Sequence, residues 1–278
     1  MLMAYNLYKK DIDVCMPAAL GLEIYHNFTL LHDDLMDRAD TRRGKPCVHK
    51  KWDGNTAILS GDTMLVLAFQ MMQECPAEVL PQVMSLFTET ALEIDEGQQM
   101  DMDFEKRSDV TEEEYIEMIR LKTSVLLACA LKIGAILAGA SKEDQDNLYK
   151  FGEQIGLAFQ LQDDLLDVYG DPKVFGKNIG GDITSNKKTY MLINAVNRAN
   201  ASQREELMRW IDAKTFDRNE KVAAVTRLYD EIGIRSLCEQ KMEACYALAQ
   251  QYMAKVSVSD ERKAILKAYA AAMMKRQS

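Results

Sequence analysis

Apolar residues along this chain recur mostly three and four positions apart, and the alternating β-branched runs closed by Asn-Gly turns that announce strands are missing. The pattern predicts an all-α protein, a single-domain bundle of about ten helices. A first long helix is predicted from Val14 to Met36, with Pro17 in the opening turn, where a missing N–H is tolerated. Arg38 to His49 breaks the periodicity with Gly44 and Pro46 and reads as a polar, basic loop; helical spacing resumes from Asn55 to Gln73. Further helices are expected over 78–105, 111–139 and 143–169, with Gly139 as a stop and Ser141 as a cap ahead of Glu143 and Asp144. Gly170-Asp171-Pro172 ends the last of these. A second loop follows to Ser185, holding Gly176, Lys177, Gly180, Gly181 and Asp182, and shorter helices fill the rest to Met274.

One pattern repeats. Asp33-Asp34-Leu35-Met36-Asp37 returns as Asp163-Asp164-Leu165-Leu166-Asp167, each late in a long helix and each followed by a basic or glycine-rich loop, so two similar sites facing one cavity are expected. The first and last aspartates of each cluster are four apart and share a helical face. Like charges at that spacing weaken an isolated helix, so the cluster calls for solvent or a cation. Hard oxygen ligands favour magnesium or calcium, and magnesium typically takes one or two carboxylates plus phosphate oxygens and water. A solvated helix end would explain one such cluster; two in apolar helices read as a diphosphate clamp.

Nearby cations fit phosphate. Arg42 and Arg43 lie just beyond Asp37, and guanidinium groups suit bidentate phosphate contact. Lys177, Lys187 and Lys188 follow the second cluster in the same way, and Lys122, beside Thr123, interrupts an apolar helix as a cavity-facing charge would. His26 stands seven residues before Asp33, two turns up the same face; with Glu23 it forms a Glu-x-x-His pair of the di-iron type, but the only other histidines, His32 and His49, have no glutamate three residues earlier. No Ser-His-Asp order and no glycine-rich phosphate loop is legible.

Composition narrows this further. The 278 residues are 47% hydrophobic, enough for a large core. A net charge of -9 and a pI near 5.0 disfavour a nucleic-acid groove or an anionic membrane surface. No signal peptide and no membrane-spanning apolar run is present, which predicts a cytoplasmic protein without stable membrane insertion. Six cysteines, at 15, 47, 75, 129, 238 and 245, form no Cys-x-x-Cys pair and read as ordinary thiols of a reducing compartment.

HNFTLLHDDLMDRADTRRGKP, GQQMD (97–101), LKTS (121–124), FQLQDDLLDVYGD and GKNIGGDITSNKKT, in that order, resemble the motifs of the trans-polyprenyl diphosphate synthases, the farnesyl and geranylgeranyl type, from about Ala18 to the C-terminal helices. The resemblance implies an isoprenoid-synthase-type bundle around a central cavity. It implies that Asp33, Asp37 and Asp163 ligate magnesium, three ions bound with the diphosphate, while Asp34, Asp164 and Asp167 support them. Arg42, Lys122 and Lys187 would hold the allylic diphosphate, with Lys177 closing over it; His26 and Arg43 would hold isopentenyl diphosphate. Lys122, Thr123 and Gln160 would serve the reaction centre. A homodimer is implied, with 78–105 as an interface helix.

Phe28, five positions before Asp33 and followed by the small Thr29, would floor the product pocket, a pattern nearer the geranylgeranyl (C20) than the farnesyl (C15) type. The family's usual Gly-Lys-Arg-x-Arg-Pro segment finds no match ahead of the first motif, and MLMAYNLYKKDID resembles the interior of the helix that follows it. A chain that begins late, or one of weak activity, is therefore expected. The competing readings are a non-catalytic partner subunit and a type I terpene cyclase, whose second metal motif would be an Asn/Asp, Ser/Thr and Glu set at wider spacing.

Overall fold

The computed structural model describes residues 1–170 and 179–274, whose regular structure is helical apart from one small hairpin. The described chain divides into two compact units. The first comprises Met1–Glu89, Cys129–Tyr149 and Val256–Leu266; the second comprises Thr90–Ala128, Lys150–Lys255 and the chain from Lys267. No helix of the described residues is long and apolar enough to cross a membrane.

In the first unit, α1 (Leu2–Tyr5) and a single 3-10 turn, Asp13–Cys15, lead into α2 (Met16–Met36), with Pro17 in its first turn as expected. The helix ends at Met36, with Asp37 of the first aspartate cluster as its C-cap, and Arg38 then turns left-handed, φ +54°, letting the N–H groups of Arg38 and Ala39 reach back to the carbonyls of Leu35 and Asp34. Arg38 to His49 is not wholly loop. β1 (Thr41–Arg42) pairs antiparallel with β2 (Lys45–Pro46) across a two-residue turn in which Arg43 and Gly44 both have positive φ, and α3 (Val48–Lys51) follows. Two-residue strands leave no alternation in the sequence to detect. α4 (Gly54–Met72), capped by Asp53 through the Thr56 N–H, lies along α2 so closely that a Cβ on Gly21 would stand 3.0 Å from the Ala68 carbonyl. Tyr25 (1% exposed), Phe28 (9%) and Phe87 (0%) form the aromatic centre of this core.

α5 (Leu80–Phe104), α7 (Val125–Leu137) and α8 (Lys142–Tyr169) supply residues to both units. Gly139, φ +75°, stops α7, and the Ser141 hydroxyl accepts the Asp144 N–H at the start of α8, both as predicted. In the second unit α6 (Glu112–Ile119) opens on a Thr111/Glu114 capping box. The helix expected over 111–139 does not run unbroken. Arg120–Ser124 is a π-helical turn, one residue per turn wider than α, between α6 and α7. Two neighbours press on it. A Cβ on Gly97 of α5 would collide with the backbone of Lys122, and one on Gly156 of α8 would fall 2.6 Å from the Ser124 Cα. The core around the turn includes Tyr115, Leu161, Leu228 and Tyr229, and the chain closes with helices at Gly181–Ser185, Tyr190–Arg198, Ala201–Asp212, Arg218–Ile232, Ile234–Lys255 and Asp260–Met273.

Replacing Gly97 by Ala is expected to destabilise the protein by about 1–3 kcal/mol through overpacking against the widened turn. Urea unfolding monitored by circular dichroism measures this; an unchanged midpoint would show that the contact is not close in solution.

Candidate active site

The first unit holds the Asp33 cluster. In α2 the second aspartate faces inward: Asp34 is 5% exposed, and the Arg42 Nε donates to its two oxygens at 2.8 and 2.9 Å while Nη2 lies 2.7 Å from Oδ1. The same Nη2 stands 3.5 Å from Asp33 Oδ2. A buried carboxylate needs such a partner, and the hairpin exists to bring Arg42 back over the helix end. Burial and a hydrogen bond to Asp34 raise the pKa of the Cys47 thiol. All six cysteines are buried and unbridged. Asp37 caps the helix and is exposed.

His26 keeps company with Arg42 and Arg43. Burial lowers its pKa, Glu23 opposes this, and the two arginines push it lower still, so the ring is neutral near pH 7. Phe28 packs edge-to-face against Tyr25, with centroids 5.5 Å apart, and against the His32 ring at 4.9 Å; Tyr25 continues the row to Phe87. Thr29 turns its hydroxyl onto the His26 carbonyl, at 2.8 Å, and so consumes its polarity within its own helix.

The second unit assembles the other expected residues around the π turn. Lys122 Nζ is 2.6 Å from Asp101 Oδ2, and Lys187 Nζ is 3.6 Å from the same oxygen. Burial of Asp101 works to raise its pKa, but Lys187 and Lys122 prevail and hold it below the usual carboxylate value. Thr123 and Gln160 meet directly, Oγ1 to Oε1 at 3.2 Å, and Gln160 Nε2 donates to Asp164 Oδ1 at 3.2 Å. Asp164 is 4% exposed and also accepts from the buried Tyr115 hydroxyl. Here too the second aspartate of the cluster faces inward and orients a neighbour. Asp167 accepts the Asp182 N–H at 2.9 Å and thereby seats the Gly181–Ser185 helix; Asp163, four residues earlier, is partly exposed. Lys177 lies outside the described residues.

Asp101, Tyr115, Cys47 and Asp182 were not singled out from the sequence for these roles. GQQMD pointed toward Asp101 and the Gly-Gly-Asp of the second loop toward Asp182, whereas nothing in the local sequence marks Tyr115 or Cys47.

Among the described residues no three His, Cys, Asp or Glu side chains converge into a complete metal site. Carboxylate crowding in the second unit is what a hard divalent cation would relieve. Burial, then the Asp182 charge, pushes Asp164 up to about 8, and burial, then the Asp167 charge, pushes Asp182 up to about 6.

Residues 1–231 match the polyprenyl synthetase family. The chain is 46% identical over 198 residues to the geranylgeranyl diphosphate synthase of Methanosarcina mazei, covering 70% of this chain and 61% of that protein. A crystal structure of a geranylgeranyl pyrophosphate synthase matches with a TM-score of 0.94 at 42% identity, over 100% of this chain and 86% of the other. The geranylgeranyl pyrophosphate synthase of Corynebacterium glutamicum, solved with isoprenyl diphosphate and magnesium, matches with a TM-score of 0.87 at 29% identity, over 99% and 85%. The helical fold and its aspartate clusters therefore define an isoprenyl-synthase-type protein. The chain belongs to the polyprenyl synthetase family.

Raised carboxyl pKa values mean that the folded protein holds protons the unfolded chain releases. Their contribution to stability is full below the ordinary carboxylate pKa, about 4, and is lost as pH rises through about 6 and about 8. Without divalent cations the melting temperature is expected to fall between pH 5 and pH 8.5, and magnesium with inorganic diphosphate to reduce that fall. Melting curves with chelator and with magnesium test this; a metal-independent profile would count against carboxylate crowding as its source.

Proposed function

We propose that this protein is a short-chain trans-prenyltransferase that condenses isopentenyl diphosphate with an allylic diphosphate, giving geranylgeranyl (C20) or farnesyl (C15) diphosphate. The observation that carries the reading is the group on the π turn: Lys122 and Lys187 converge on Asp101, and the adjacent Thr123 is hydrogen-bonded to Gln160. Two ammonium groups sharing one carboxylate are preassembled for a multiply charged anion. The relatives named above are geranylgeranyl diphosphate synthases, and one was solved with isoprenyl diphosphate and magnesium.

In this reading Asp33, Asp37 and Asp163 hold magnesium, three ions with the diphosphate, and Asp34, Asp164 and Asp167 orient their neighbours. Arg42, Lys122, Lys177 and Lys187 hold the allylic diphosphate; His26 and Arg43 hold isopentenyl diphosphate. The neutral His26 imidazole serves as a hydrogen-bond donor rather than a charge. When bound, magnesium supplies positive charge that neutralises the departing diphosphate. The allylic C–O bond breaks with its electron pair leaving on diphosphate, and Lys122 and Lys187 stabilise that charge where it develops. The dipoles of Thr123 and Gln160 face the allylic cation, whose carbon accepts the alkene electrons to form the new C–C bond. A proton then leaves to the released diphosphate. Phe28, held edge-on by Tyr25 and His32, is the proposed floor that limits the chain to C20, with Thr29 beside it.

A cytoplasmic homodimer is part of the same reading. Leu59 and Val66, each 67% exposed and seven apart on α4, offer an apolar face for a second copy, and Leu92 of α5 is 64% exposed.

Incubation with magnesium, isopentenyl diphosphate and allylic primers, with product mass as the readout, tests the function: a C20 diphosphate is expected. No product from any primer would instead favour a non-catalytic partner subunit, and a cyclic hydrocarbon a terpene cyclase. Chelation should abolish turnover, and Asp163→Asn is expected to lower kcat about 100-fold or more. Phe28→Ala should lengthen the product while costing about 3 kcal/mol of stability; an unchanged product length would remove Phe28 as the floor.

A further inference from the structure

Lys221 is 1% exposed in the Arg218–Ile232 helix, and among the described residues no carboxylate pairs with it. Its amine donates to Asn186 Oδ1 at 2.7 Å and stands 4.2 Å from the centroid of the Phe216 ring. Burying a lysine against an aromatic face with one neutral acceptor is costly, and stability alone is poorly served by it.

Asn186 is the residue this lysine holds. Its backbone is left-handed, φ +54°, a conformation that asparagine tolerates when its side chain is engaged. Nδ2 donates to the Ile211 carbonyl at 2.9 Å, Oδ1 accepts from Lys221, and the Asn186 carbonyl accepts from Lys188 Nζ at 3.2 Å. The next residue is Lys187, whose N–H reaches the Asp182 carbonyl at 2.9 Å and whose Nζ points to Asp101. The same helix supports the preceding turn: Arg218 Nη2 donates to the Ile179 carbonyl, and Gly180 rests against Val222. One helix face thus fixes the segment that delivers Lys187.

The geometry points to Lys221 as a positioning residue that aims Lys187 at the allylic diphosphate, acting through Asn186. This rests on the proposed role of Lys187. Loss of the Lys221 donor leaves Asn186 Oδ1 without its partner, so the left-handed turn relaxes and Lys187 loses its direction. Isopentenyl diphosphate, assigned to His26 and Arg43, is untouched.

Lys221→Met keeps the length and apolar stem of the side chain and removes the donor. In steady-state assays with saturating magnesium it should raise KM for the allylic diphosphate about tenfold, the equivalent of one lost hydrogen bond, and leave KM for isopentenyl diphosphate within about twofold. In a Lys187→Ala background the same change should add less than about twofold, because a residue that acts through another has nothing further to remove. Asn186→Ala should reproduce the selective loss and serves as the second variant if Lys221→Met folds poorly; calorimetric titration with inorganic diphosphate and magnesium provides a readout independent of turnover. Equal effects on both KM values, or full multiplication with Lys187→Ala, overturn the proposal. A Lys187→Ala enzyme with normal allylic KM instead removes the role of Lys187 and this inference with it, whereas a damaged Lys187→Ala enzyme beside a normal Lys221→Met enzyme removes only the inference.

Discussion

The geometry of an Asp-Asp-x-x-Asp cluster on a helix governs the rest of the site. With about 100° between consecutive residues, the first and last aspartates share a face and the second must point elsewhere. In both clusters it points into the protein: Asp34 is 5% exposed and Asp164 4%. A carboxylate there is tolerable only with hydrogen-bonding partners, and each has them: Arg42 for Asp34, Tyr115 and Gln160 for Asp164. The inward aspartate thereby becomes the fastener for a residue of the proposed chemistry.

The π turn is the second element on which the site turns. Widening the helix at Arg120–Ser124 moves Lys122 and Thr123 out of α-helical register, and the bare faces of Gly97 and Gly156 let α5 and α8 close over it. Asp101 then lies within reach of two lysines from distant parts of the chain. Its carboxylate offsets their mutual repulsion, so in the proposed reaction both lysines are already placed when the diphosphate departs.

Sequence by itself determined the helical class, most helix limits, both aspartate clusters and the family, because these depend on local periodicity, capping and residue spacing. Pro17, Gly139 and Ser141 sit where the chain's local chemistry requires them. The neighbourhoods of Lys122, Thr123 and Gln160 were legible only through motif order. Tertiary structure decided what each side chain does with its charge. The break in 111–139, the Tyr115 contact with Asp164 and the burial of Lys221 under Asn186 join residues far apart in the chain or depend on space left by another helix, and the hairpin that returns Arg42 to Asp34 has strands too short to leave a pattern. No local pattern encodes them, since a hydrogen bond to a buried carboxylate or a left-handed asparagine is worth its cost only after packing has excluded water.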